Sequence, residues 1–261
     1  MRPKYTIFIP AYKADNFINN ICNNILRQVE LPDQVLIVDD TMNSTNFFLE
    51  IKKKLLIIDK KIELNFVKNF KNYKPAKSWN RYKNMFRNNI VFRLDVDDFW
   101  DENHTSKMID AYLLNGNYLL YAQKTKSIKT LFYNNDFLFV NNLIHSSCLF
   151  NLNKYNFTYP SCDYPYDDLK AFIKIKYILK QDIKILNFHT SKALTDAPNR
   201  WSDQNRDLKN KICLKRLFFL ALKKKLNIKK INIMKLIKLL FKYDIFKSLF
   251  IFIKIYKNLR L

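Results

Sequence analysis

Apolar and polar positions alternate along the first hundred residues in blocks whose period switches between that of a buried strand and that of an amphipathic helix. Residues 5–9 form a β-branched and aromatic run closed by Pro10, which predicts a strand buried on both faces. Residues 17–28 put Ile18, Ile21, Cys22 and Ile25 on one helical face, with Asp15 placed to cap that helix. Pro32 and Asp33 turn the chain into a second strand, 34–38, and another helical stretch follows. A strand at 62–67, a helix at 77–86 and a strand at 90–94 complete a βαβαβαβ order. That order predicts an α/β fold with a mostly parallel central sheet flanked by helices on both faces.

Ligands of such sheets bind beyond the carboxyl ends of the strands, and those ends carry the unusual residues. The first strand runs into Pro10, Ala11 and Tyr12, the second into Asp39 and Asp40, and the fourth into Asp95, Asp97 and Asp98. From Trp100 to about Asn205 the pattern is more mixed, with a helix at 102–113, a strand at 118–122 and a helix at 167–179. Beyond Asn205 the composition shifts to Lys, Leu, Ile and Phe, which divides the chain into 1–205 and 206–261.

Composition narrows the chemistry. Gly116 is the single glycine, where average usage would give roughly 18. A P-loop and a dinucleotide fingerprint need several glycines in a few residues, so any nucleotide must be held by side chains and a metal. Asparagine is expected to stand in for glycine where φ is positive. The formal net charge is +23, but residues 209–261 hold 16 Lys or Arg and one acid, Asp244, so the excess lies mostly in the tail. Lysine dominates over arginine, which suits base-specific nucleic-acid contacts poorly. Cys22, Cys148, Cys162 and Cys213 form no CxxC and read as small apolar residues in a reducing compartment. Five apolar residues before Pro10 make no signal-peptide core and no run is long enough for a membrane span, so a cytoplasmic protein is expected.

Leu94-Asp95-Val96-Asp97-Asp98 brings three carboxylates within four residues of a strand end, which is costly unless something positive neutralises them. Their oxygens suit Mn²⁺ or Mg²⁺; the alternative is an acidic helix-capping turn. Asp39 and Asp40 can accept hydrogen bonds from a ribose hydroxyl or a base imide, or else shape a turn. Tyr12 can stack on a base or pack.

Taken in order, F-I-P-A-Y, I-V-D-D and R-L-D-V-D-D-F-W resemble the family 2 glycosyltransferases of the GT-A fold. Ser78-Trp79-Asn80 falls where that family has a small-residue and Asn segment. Residues 143–147, which include His145 and Ser146, look like its acceptor-side strand. Tyr166-Asp167-Asp168-Leu169 looks like its acidic pair opening a helix, and the resemblance spans about residues 4–195. It implies a GT-A catalytic domain over 1–205, with a nucleotide-binding half at 1–98 and an acceptor half at 99–205. It also implies sugar transfer from a nucleotide-diphosphate sugar to an acceptor hydroxyl with inversion. In that reading Asp97 holds the divalent ion, with His189 completing its shell or serving structure alone, and Asp95 helps place the ribose or metal. Pro10, Ala11, Tyr12, Asp39, Asp40, Asn80 and Val96 border the nucleotide sugar. Asp168 is the general base with Asp167 as alternate, unless the pair only favours the first turn of a helix. His145 and Ser146 face the acceptor. The chain departs from the family at Thr41-Met42-Asn43-Ser44-Thr45 and at 69–75, a loop that is often glycine-containing.

The implied partners are a nucleotide-sugar donor, a UDP-sugar first, and a glycan or lipid-linked acceptor. Lys235, Lys238 and Lys242 recur on one helical face of an otherwise apolar tail. Residues 209–261 therefore either lie on an anionic membrane surface at the inner face of the cell membrane or pack on the core. A nucleic-acid-binding basic protein is the reading from charge alone, without an Arg-rich stripe, zinc motif or glycine-bearing RNA signature to support it, and nucleic acid is not expected as a partner. A nucleotidyltransferase or pyrophosphorylase would want a glycine-rich amino-terminal loop.

Overall fold

The computed structural model describes residues 2–40, 43–56, 61–116, 118–123, 145–153, 156–160, 171–172, 174–175 and 179–193. The helical reading of the tail, residues 206–261, the acidic pair Asp167 and Asp168, and most of the helix at 167–179 lie outside the described residues.

Seven strands form one sheet in the order β3-β2-β1-β4-β7-β6-β8. These are β1 (Tyr5–Ala11), β2 (Gln34–Asp39), β3 (Glu63–Lys68), β4 (Ile90–Arg93), β6 (Leu120–Gln123), β7 (Cys148–Asn151) and β8 (Ile183–Leu186). β1 pairs in parallel with β2 and β4, and β2 with β3. β7 runs antiparallel to both β4 and β6, while β6 and β8 are parallel. A second, two-stranded antiparallel sheet joins β5 (Asp98–Trp100) to β9 (Ser191–Ala193). The predicted α/β class with a mostly parallel sheet is what the chain adopts.

The burial pattern explains the topology. β1 and β2 are buried at every position and read as continuous Val, Ile and Phe runs, as central parallel strands must. β3 is the edge strand and is half-buried up to its exposed last residue, Lys68, with Asn65 among its apolar residues. Pro10 is tolerated inside β1 because the β4 ladder ends one step earlier, at Phe8 paired with Arg93. There the two strands part, and the sheet's strand order reverses direction between them. Crevices at such switch points are where open α/β sheets bind ligands.

Helices α1 (Ile18–Leu26), α2 (Phe47–Leu56), α3 (Pro75–Tyr82) and α4 (His104–Asn115) cover the sheet. α1 buries Ile18, Ile21, Cys22 and Ile25, the predicted face. α3 wedges a fully buried Trp79 against Phe8 of β1 and Phe150 of β7, with ring centroids 5.3 and 5.0 Å away. Truncating so large a buried ring costs about 3–5 kcal/mol, so α3 is firmly placed.

Three local expectations are corrected. Asp15 does not cap α1: it lies in a 3₁₀ turn, and its carboxylate accepts the Ser44 backbone N–H at 3.0 Å. His145–Ser147 is a 3₁₀ turn rather than strand, and the strand begins at Cys148. The cause is polar: Ser146 Oγ accepts from Asp95 N at 2.9 Å, which bends this segment toward the turn after β4. Among the described residues, positive φ outside glycine falls on Lys13, Lys74 and Lys180, not on asparagine.

Candidate active site

Parallel strands deliver their carboxyl ends to one edge of the sheet, and that edge collects the predicted site. Pro10, Ala11 and Tyr12 end β1, Asp39 and Asp40 end β2, and Asp95, Val96 and Asp97 form the turn after β4. Because β7 is antiparallel to β4, its amino-terminal lead-in, with His145 and Ser146, arrives at the same edge. β8 is parallel to β6, so the loop beyond Leu186 carries His189 there too.

Asp39 and Asp40 are almost wholly buried. Asp39 accepts from Asn43 Nδ2 at 2.6 Å and lies 3.7 Å from Lys68 Nζ. Asn43 in turn accepts the Ala14 N–H, bracing the segment after β1. Asp40 receives the Asn69 amide at 2.8 Å, the Tyr73 N–H at 2.8 Å and the Lys74 N–H at 2.6 Å. Its carboxylate therefore shapes the 69–74 loop. Asn69 is the hub of that loop, since it also donates to Ser78 Oγ at 3.1 Å and accepts from Tyr82 OH at 2.6 Å. Lys74 adopts φ 69° and ψ 156° before Pro75, a conformation that glycine occupies far more readily. Beside this loop the half-exposed ring of Tyr12 has Lys13 Nζ and Lys74 Nζ each 5.7 Å from its centroid.

The β4 side is built differently. Asp95, Val96 and Asp97 are half-buried. Their turn is held through its backbone by α1: Asn20 Nδ2 donates to Val96 O at 2.8 Å and Asp98 O at 3.0 Å, and Asn24 Nδ2 to Asp98 O at 2.8 Å. One turn on, Gln28 donates to Asp101 O at 3.0 Å and accepts the Thr105 N–H at 3.0 Å. Asn20, Asn24 and Gln28 thus form an amide stripe at i, i+4, i+8. The spacing is visible in the sequence, but polar residues at i, i+4, i+8 opposite an apolar face carry no local signal that separates a structural amide from a solvated one.

Behind the turn, the buried guanidinium of Arg93 reaches Asp95 Oδ1 at 2.8 Å and lies 5.9 Å from the Tyr159 ring. Asn80 fixes Tyr159 by a reciprocal pair, Asn80 Nδ2 to Tyr159 O at 2.9 Å and Tyr159 N to Asn80 Oδ1 at 2.7 Å. So Asn80 reaches the site through Tyr159, and its amide braces that segment. His145 is buried, with its ring centroid 5.2 Å from that of Tyr159 in an edge-on arrangement. Burial, reinforced by the Arg93 charge, pushes its pKa well below the ordinary histidine value and keeps it neutral.

Trp100 Nε1 donates to Ser146 O at 2.6 Å, and the indole stacks on His104 at 4.5 Å. His104 Nδ1 lies 2.8 Å from Thr190 Oγ1, and burial lowers its pKa to about 3. His189 is exposed, one residue before Thr190. Among the described residues, no group of three or more His, Cys, Asp or Glu side chains is arranged to hold a metal ion by itself.

A seven-stranded α/β sheet with acids at the ends flanking its switch point is the architecture of a nucleotide-binding enzyme of the GT-A type. The chain belongs to glycosyl transferase family 2, whose model matches residues 6–171. Among solved structures it is similar to the Pyrobaculum calidifontis mannosyltransferase PcManGT in complex with GDP-Man and Mn²⁺. That match has 16% identity and a TM-score of 0.65, over 85% of this chain and 65% of that one. It is similar to S. aureus TarS at 15% identity and a TM-score of 0.55, over 80% of this chain and 39% of that one. The S. aureus TarS 1–349 complex with UDP-GlcNAc matches at 15% identity and a TM-score of 0.52, over 92% of this chain and 80% of that one. At these identities the likeness is one of fold, and the chain spans less than two thirds of the full TarS and PcManGT chains. No curated protein sequence matches significantly.

Proposed function

We propose that this chain is an inverting glycosyltransferase that moves a sugar from a nucleotide-diphosphate sugar to an acceptor hydroxyl with the help of a divalent cation. The observation that carries this reading is the arrival of Asp39, Asp40, Asp95 and Asp97 at one sheet edge, on both sides of the β1–β4 switch point. Family membership and solved relatives holding UDP-GlcNAc or GDP-Man with Mn²⁺ support it.

Each residue has a task in this mechanism. Tyr12 offers a ring face to the base, while Asp40 fixes the 69–74 loop beside it. The half-buried carboxylates of Asp97 and Asp95 are hard oxygen donors that fit Mn²⁺ or Mg²⁺, ions commonly held by one or two carboxylates plus substrate phosphates. His189, on the exposed loop after β8, is a further ligand. The cation supplies neutralisation of the charge that develops on the leaving diphosphate. Asp168, or Asp167 in its place, takes the proton of the acceptor hydroxyl, and His145 and Ser146 border the acceptor side. His145, buried and neutral, acts there by shape and dipole rather than by charge.

The acceptor in this reading is a growing glycan or lipid-linked saccharide, approached at the cytoplasmic face of the membrane through residues 209–261. Among the described residues no helix is long and apolar enough to cross a membrane. The deciding experiment is calorimetric titration of UDP-GlcNAc and GDP-Man with and without Mn²⁺, on the native chain and on Asp97→Ala. Metal-dependent binding lost in Asp97→Ala, with an unchanged thermal melt, is expected. Equal binding by both chains overturns the role given to Asp97.

A further inference from the structure

Among the described residues Arg93 is the one buried lysine or arginine. A charge in that position is expensive to desolvate unless it is paired. Its partner is Asp95, reached from Nε at 2.8 Å. The guanidinium is boxed in. It projects from a strand residue registered against Phe8, and the Tyr159 ring lies 5.9 Å away, fastened in turn by Asn80. Asp95 is fixed from the other side as well, by its backbone N–H on Ser146 Oγ. An arginine so held cannot swing away when a ligand arrives, and lysine would lack the planar fork.

The pairing bears on how a cation could enter. A free divalent ion approaching the turn meets Asp95 already neutralised by a fixed positive charge. A cation carried by a diphosphate brings its own negative oxygens and needs fewer protein ligands. We propose that Arg93 is a positioning residue that withholds Asp95 from free divalent cations, so that the acidic turn takes up metal together with the diphosphate rather than before it. This rests on the transferase reading for its biological sense, though not for its test.

The test is Mn²⁺ binding to the full chain without nucleotide, read by electron paramagnetic resonance of free Mn²⁺. The native chain is expected to bind weakly. Arg93→Met, which keeps an unbranched apolar stem and removes the charge, is expected to tighten bare Mn²⁺ binding at least about fivefold, the scale of one unit charge about 4 Å away even under full water screening. Adding Asp95→Asn should return affinity to the native level or below. Unchanged or weaker binding by Arg93→Met overturns the proposal, as does a gain that persists in the Asp95→Asn background. Arg93→Gln replaces Arg93→Met if the latter fails to melt cooperatively, with the same expected and overturning results. Loss of all nucleotide-sugar binding by the native chain would remove the transferase reading and leave this cycle standing. Intact nucleotide-sugar binding with no Arg93 effect removes this inference alone.

Discussion

The two sides of the candidate site use the same residue type for opposite purposes. At the end of β2, Asp39 and Asp40 are buried and wrapped in donors from Asn43, Asn69, Tyr73 and Lys74. At the end of β4, Asp95 and Asp97 remain half-buried, and α1 holds the turn that carries them by its carbonyls, while the Asp95 carboxylate pairs with the single cation of Arg93. A carboxylate enclosed by several N–H groups is a piece of framework, whereas the acidic turn after β4 is anchored through its peptide carbonyls and presents its acids half-buried at the sheet edge. Position at a strand end is thus not enough to assign a role, and the donors around each acid decide it.

That contrast can be broken experimentally. Asp40→Asn should cost about 2–4 kcal/mol, because the bonds from Asn69 and Tyr73 lose their charge assistance and the new amide NH2 is set against the Lys74 N–H. Urea denaturation measures this, and a cost below about 1 kcal/mol would return Asp40 to the ligand-facing class. Asn24→Ala should cost about 1–3 kcal/mol, through the unpaired Trp100 N–H and the loss of one of the two amide donors on the Asp98 carbonyl, and should lower nucleotide affinity through disorder of the acidic turn.

Acidification probes the layer behind the β4 side. His104 has a folded pKa of about 3, below its ordinary value near 6.5, so the unfolded chain binds the extra proton. Stability from this group is complete above pH 6.5 and declines as pH falls toward 3. The melting temperature should drop over that window, and less so in His104→Gln if that variant keeps the bond to Thr190. Lys74→Gly has the smallest expected effect, a gain of about 0.5–1 kcal/mol from relief of the positive φ, offset by added freedom in the unfolded chain. A loss in the melt would mean that the Lys74 side chain contributes more than its backbone costs.

Much of the frame was legible because it follows from period. Continuous apolar runs marked β1 and β2, and the Ile18, Ile21, Ile25 face marked α1, since core burial writes itself directly into spacing. Strand-end acids were legible for the same reason, once the strands were placed. What escaped was polar and long-range. Asn20, Asn24 and Gln28 reach residues more than 70 positions away, and no local pattern separates a structural amide from a solvated one. The short strands β5 and β9 escaped too, because each is defined only by the other. Expecting asparagine at positive φ was sound as propensity, yet lysine occupies those positions here because the surrounding bonds, such as Lys74 N to Asp40, over-determine the backbone.

The amide stripe of α1 has one more consequence. Neutral carboxamides grip the acidic turn without cancelling any of its charge, and their hold is indifferent to ionic strength. A scaffold of lysines would have anchored the same loop while dimming its field and loosening in brine. Here the grip and the field are supplied by separate groups, so a change at the amides alters how firmly the turn is placed while leaving its formal charge intact.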